Sequence, residues 1–320
     1  MFCRLDYKGD GKMKILVFGA GVLGCNLARN LFRAKKDVKL LARGNWASEI
    51  KTNGLRIKNQ LFPKTSVSRV PVVTELKPED EYDVIFVVIR YTQIESVIDI
   101  LRANKTKNIV FVGNNIRTEE LAKSLPEKNV LFAFSLSAGH REANRVVSID
   151  LKKITIGQLL GQPSNEQLID QIFAGTKYKV VYEPNIGDYL LCHVAFVIPA
   201  TFACYKTDGN LKKLKGNTEY FNKMIDANIE AYRAIRDAGH EILPDDDKEF
   251  EGKAYRKTCM RFFRLMCATS LGKICASDHA MNAIDEMSAL NRDLKEFFDK
   301  NNAKYPVWTE LESECEKYLK

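Results

Sequence analysis

Three glycines spaced as Gly19-x-Gly21-x-x-Gly24 form the pattern that cradles the pyrophosphate of a dinucleotide. The first glycine permits a tight turn, the second lets the backbone approach the phosphates, and the third allows a helix to pack closely on a strand. The whole segment Gly19, Ala20, Gly21, Val22, Leu23 and Gly24 is therefore expected to bind a cofactor. Free N–H groups and partial positive charge at a helix N-terminus would meet the phosphates. Arg43 bears on which dinucleotide. An NAD-binding fold places Asp or Glu at the end of the second strand for the ribose 2′-hydroxyl, whereas a guanidinium there pairs with a 2′-phosphate. The expected cofactor is NADP(H). The plainer alternatives are a structural glycine turn and an exposed surface arginine.

Such chemistry needs a strand, a glycine turn, a helix and a second strand in that order. Lys14-Ile15-Leu16-Val17-Phe18 is an apolar run suited to a buried parallel strand. Cys25 to Ala34 reads as a helix and Val38 to Ala42 as the second strand. Further strands are expected at Val84–Val88, Ile109–Val112 and Val130–Ala133, with helices at Thr92–Ala103 and Thr118–Lys123. Arg145–Ile149 and Lys153–Ile156 read as strands of an antiparallel addition, followed by a helix at Asn165–Ala174 and a strand at Lys179–Tyr182. From Pro184 onward the periodicity is helical, at Asp188–Tyr205, Thr218–Ala238, Lys248–Thr269 and Ala283–Asn301. The fold class is α/β: a doubly wound Rossmann-type sheet over 13–183, and an all-α substrate and dimerisation domain over 184–320.

Composition narrows the function classes. The chain has 320 residues, 45% hydrophobic and 28% charged, enough for two domains with real cores. The net charge of +8 is spread along the chain rather than gathered in a basic block, which argues against nucleic acid. An anionic cofactor and an anionic substrate account for it. No uncharged apolar run reaches about 18 residues, so no membrane span is expected; Tyr189 to Tyr205 reads as a helix buried inside the protein. Residues Met1 to Lys12 are polar and lack the apolar stretch of a signal peptide, Met13 could be an alternative start, and a cytoplasmic protein is expected. The cysteines at positions 3, 25, 192, 204, 259, 267, 275 and 315 show no metal-ligand spacing and read as reduced core thiols.

From Met13 onward the sequence resembles the ketopantoate reductases. The resemblance rests on KILVFGAGVLG, the arginine after the second strand, VIRYTQ, the GNN after a strand, PATFACYKTDGNL in the first long helix, and DEMSALN late in the chain. It implies transfer of a hydride from NADPH to the keto carbon of a small 2-keto acid, as from 2-dehydropantoate to pantoate in pantothenate biosynthesis. It also implies a helical domain like the C-terminal part of 6-phosphogluconate dehydrogenase, and a homodimer. Residue by residue, it gives Asn114 a place beside nicotinamide and substrate, and makes Glu286 the glutamate that orients the catalytic groups. Arg90 would hold a cofactor or substrate anion, and Asn291 and Asp208 would contact substrate.

The chain departs from the family pattern at several of these positions. Asn115 follows Asn114 where glycine is usual, and Arg90 stands for a lysine. Leu190 falls where the family's proton-donating lysine stands, Val194 and Ile198 replace asparagines, and Ile274 replaces a serine. A positioned donor contributes roughly 100- to 10,000-fold to ketone reduction, and leucine donates nothing. His193, three positions later on the same helix, is the candidate substitute, titrating near its ordinary value of about 6.5; a histidine hydrogen-bonded in the core or at an interface is the alternative. The apolar run around Leu190 implies a less polar pocket. Three readings follow: a reductase with an altered donor, an NADP(H)-binding sensor or partner protein without catalysis, and a β-hydroxyacid dehydrogenase.

Overall fold

The computed structural model describes residues 13–60, 62 and 64–319. The polar segment read above as lacking a signal sequence, with Cys3, lies outside the described residues. Ten strands among these residues form one sheet, in the order β4-β3-β9-β8-β7-β6-β1-β2-β5 with β10 beside β9. The chain order is β1 (Lys14–Phe18), α1 (Val22–Arg33), β2 (Asp37–Leu41), α2 (Gly44–Asn53), β3 (Leu55–Asn59), β4 (Thr65–Ser68), β5 (Val72–Val73) and β6 (Val84–Val87). It continues with α3 (Ile98–Ala103), β7 (Asn108–Val112), α4 (Thr118–Ser124), β8 (Asn129–Arg141), β9 (Val146–Gly157), α5 (Glu166–Phe173) and β10 (Lys179–Tyr182). The rest is helical: α6 (Ile186–Lys206), α7 (Thr218–Asp237), α8 (Lys253–Ala268), α9 (Ser270–Gly272), a π turn (Lys273–Ser277), α10 (Asp278–Asn282), α11 (Ile284–Lys300) and α12 (Pro306–Ser313).

Strands β2, β1, β6, β7 and β8 pair in parallel, as apolar runs buried on both faces should. Alternation along β1 feeds two cores: Ile15 and Val17 pack with Leu27 and Leu31 of α1, whereas Leu16 and Phe18 pack with Leu101 of α3 and Leu121 of α4. The hairpin β3–β4 and the short β5 were not legible as strands. Thr92–Ala103, expected as one helix, is two 3-10 turns followed by the six-residue α3.

Arg145–Ile149 and Lys153–Ile156, expected as two strands of an antiparallel addition, are instead one continuous strand, β9, whose antiparallel partner is β8, an extension of the expected Val130–Ala133. Strand β8 runs 13 residues and β9 runs 12, antiparallel with a register shift between Ser135 and Ser137. Their outer halves form a ribbon that lies over α1 and carries β3 along Val146–Ser148 of β9. The docking is polar: the Asn26 amide donates to Ser137 Oγ at 2.6 Å, and Arg29 donates to Asp150 at 2.8 Å.

Helix α6 is the spine of the helical part. Its most apolar 18-residue window has a mean hydropathy of 1.5, sufficient by length and composition alone to cross a membrane, and 61% of that window is buried inside the protein. Ile186 and Leu190 at its start belong to the core beneath the sheet, while Val194, Ile198 and Phe202 belong to the helical core. Six of the seven described cysteines are buried, Cys275 is exposed, and all seven are free thiols.

Candidate active site

The glycine turn closes as its sequence requires. Gly19 has a φ of +120°, and a Cβ there would stand 2.2 Å from the Val88 carbonyl oxygen. A Cβ on Gly24 would stand 2.0 Å from the Gly19 carbonyl oxygen. Gly21, at the N-cap of α1, faces open space with nothing within 4 Å. No side chain caps α1 and its first turn holds no acidic residue. The N–H groups of Val22 and Leu23 are thus left to an external acceptor.

Arg43 is the exposed N-cap of α2, its guanidinium 5.8 Å from the Phe18 ring, with no carboxylate partner among the described residues. At the end of β7, Asn114 is 9% exposed and its Oδ1 is buried without a hydrogen-bond partner. Its neighbour Asn115 has an equally unpartnered Oδ1. A lone buried acceptor costs about 1–3 kcal/mol, which a ligand donor would relieve. An uncapped helix end, an open Gly21, a free Arg43 and an orphaned amide oxygen together fit a phosphorylated dinucleotide.

Glu286, in the first turn of α11, is 6% exposed. Its Oε1 accepts from the Tyr91 N–H at 3.3 Å, and its Oε2 lies 4.0 Å from Nε2 of His279. Burial raises its pKa above the usual carboxylate range, with His279 and the Tyr91 N–H opposing. Sequence reasoning missed His279. It precedes Glu286 by seven positions, two helical turns, a spacing that could have pointed to it; the helix in fact breaks between them at Ala283.

His193 lies on the side of α6 that Tyr189, Phe196 and Val197 share, all half-buried. Its ring centroid is 3.9 Å from that of Phe134 on β8 and 6.4 Å from that of Tyr189. Burial, reinforced by His279, lowers its pKa to about 4. It has no hydrogen-bond partner among the described residues. It is therefore neutral near pH 7, which corrects the expected titration near 6.5, and it is not the hydrogen-bonded core histidine of the alternative reading.

The remaining sequence-derived positions divide. Arg90 donates to Asp285 at 3.0 Å and to the Asn282 carbonyl at 2.7 Å, so its guanidinium bridges the sheet and helical parts instead of standing free. Asn291 is buried in the helical core, donating to Glu312 at 2.6 Å and accepting from the Trp308 indole at 3.0 Å. Asp208 is a left-handed residue at the far end of α6, bonded to Tyr318 at 2.9 Å and paired with Lys317 at 2.5 Å. Leu190 is fully buried beneath the sheet, and Val194, Ile198 and Ile274 are buried in packed clusters or helix contacts. Leu190, Val194 and Ile198 fill cores rather than lining a less polar pocket.

Residues 15–161 match the family described as Ketopantoate reductase PanE/ApbA. Residues 15–161 thus form a domain of the ketopantoate reductase family. That is an oxidoreductase family. No curated protein matches the sequence. Solved structures share the fold at low identity. A PanE/ApbA family ketopantoate reductase from Ralstonia eutropha JMP134 is 19% identical, with a TM-score of 0.74 over 96% of this chain and 98% of its own. A dimeric ketopantoate reductase from Staphylococcus aureus is 13% identical, with a TM-score of 0.72 over 96% and 99%. A D-mandelate dehydrogenase, solved with NADH and anilino(oxo)acetate, is 16% identical, with a TM-score of 0.76 over 96% and 98%.

Proposed function

We propose that this ketopantoate reductase family member is an NADPH-dependent reductase of a small 2-keto acid, 2-dehydropantoate or a relative, and works as a homodimer in the cytoplasm. The observation that carries the reading is the open glycine turn together with the unpartnered Asn114 oxygen. The uncapped glycine turn and the unpartnered Asn114 oxygen stand on the sheet side, and buried Glu286 with His279 stands on the helical side. The S. aureus relative is described as dimeric, which supports the oligomer. The mandelate dehydrogenase holds NADH; the choice of NADPH here rests on Arg43.

Reduced nicotinamide, when bound, supplies the hydride. The chain's own groups do the rest. The start of α1 and Arg43 hold phosphates, and Asn114 positions the carbonyl or the carboxamide. Hydride addition to the keto carbon leaves negative charge on its oxygen, and one proton must reach that oxygen to give the hydroxy acid. Glu286 and His279 are the titratable pair placed to hold that proton, and Leu190 cannot.

The test is NADPH oxidation with 2-dehydropantoate and then bulkier 2-keto acids, in the parent and in Glu286→Gln. Turnover by the parent, lowered about 100-fold or more in the variant with NADPH affinity unchanged, is expected. NADPH binding without turnover of any keto acid would favour the cofactor-binding sensor instead.

A further inference from the structure

The outer end of the β8–β9 ribbon carries a cation that the dinucleotide fingerprint does not include. Arg141, the last residue of β8, is exposed, and its guanidinium lies 5.6 Å from the Trp46 ring centroid. Trp46, in the first turn of α2, is 8% exposed and its indole N–H donates to the Ala20 carbonyl of the glycine turn at 3.0 Å. Trp46 thus ties α2 to the phosphate turn, and Arg141 covers it. The Arg141 charge reaches the start of α1: burial pushes the Cys25 thiol up to about 12, opposed by Trp46 and by the charges of Arg141 and Arg29.

Nearby carboxylates are committed elsewhere. Glu142 pairs with Arg145 at 2.6 Å and lies 3.7 Å from His140. Arg141 has no carboxylate partner among the described residues. Neither α1 nor α2 has an acidic residue in its first turn. Two positive helix ends and two guanidinia, Arg43 and Arg141, therefore border the glycine turn with no carboxylate paired to either guanidinium among the described residues. Like charges gathered at helix N-termini are unfavourable unless an anion joins them.

We propose that Arg141 is a cofactor-phosphate ligand, making the ribbon a third wall of the dinucleotide site beside the glycine turn and α2. This rests on the reading of the turn as an NADP(H) site. The ligand chemistry is a phosphate, and the two sources on the dinucleotide are its diphosphate and its 2′-phosphate.

Equilibrium binding of NADPH and of NADH to the full chain, followed by calorimetry and by Trp46 fluorescence with Trp46→Phe as the signal control, tests it. Arg141→Ala and Arg141→Gln should each weaken NADPH about 10- to 100-fold, the range for a lost charge-assisted bond, at an unchanged melting temperature. NADH binding left intact would assign the 2′-phosphate; NADH weakened equally would assign the diphosphate. NADPH affinity within twofold of the parent in both variants, while Arg43→Ala weakens it, would overturn the proposal and leave the cofactor site standing. Failure of the parent to bind either nucleotide would overturn the reading of the turn and the proposal together.

Discussion

His193 shows how a residue can be placed on its helix from sequence and its ionisation misjudged. Its place on α6 was legible from helical spacing. Its ionisation was not, because that is set by burial against Phe134, 59 positions away in sequence on β8, and by His279 on α10. The folded chain holds this imidazole near a pKa of about 4, whereas the unfolded chain takes up the proton near about 6.5. The stability its neutral form contributes is fully present above the unfolded value and is lost as the pH falls toward 4. Chemical denaturation of His193→Phe at a series of pH values should therefore give a flatter profile across that window than the parent. Parallel profiles would show that the ring is not held neutral. Glu286 was reached by resemblance alone; its surroundings, Tyr91 in a 3-10 turn and His279 on α10, are brought to it by the tertiary fold.

At the scale of elements, the βαβ unit was the most legible part of the chain, since a strand ending in glycine fixes what must follow. The three glycines nevertheless do different work. Gly24 is closed against the Gly19 carbonyl, and Gly21 is open. Gly24→Ala should cost about 1–3 kcal/mol as overpacking and lower the melting temperature. Gly21→Ala should stay within about 0.5 kcal/mol of the parent in stability yet weaken NADPH severalfold, because the added methyl occupies the phosphate approach. Equal stability losses from both variants would contradict this division. The ribbon was half legible: the two segments expected as separate strands are one strand, β9, paired with an extended β8, because pairing between β8 and β9 outruns the apolar pattern that marks burial. Polar contacts such as Asn26 to Ser137 hold it, and polar contacts leave little periodic signature.

For the whole molecule, the change from strands to helices after Tyr182 follows the composition, whereas the joint between the two parts does not. Arg90 spans it, reaching Asp285 and the Asn282 carbonyl, and the adjacent Tyr91 N–H meets Glu286. The Arg90 and Asp285 side chains are 45% and 54% exposed, so the pair is worth under about 1 kcal/mol. Arg90→Ala should lower the melting temperature by no more than about 2–4 °C, leave NADPH affinity unchanged, and raise KM for the keto acid as Glu286 loses its register. A large loss of NADPH affinity would return Arg90 to the cofactor. Helix α6 makes a second, far stronger joint. Its first turns are buried under the sheet and its later turns in the helical core, so one continuous element completes both interiors. A chain cut near residue 184 would leave a sheet missing part of its floor and a bundle carrying a bare apolar stub. The two halves are thus not interchangeable modules, and recombining either with a foreign partner would require grafting α6 along with both surfaces that bury it.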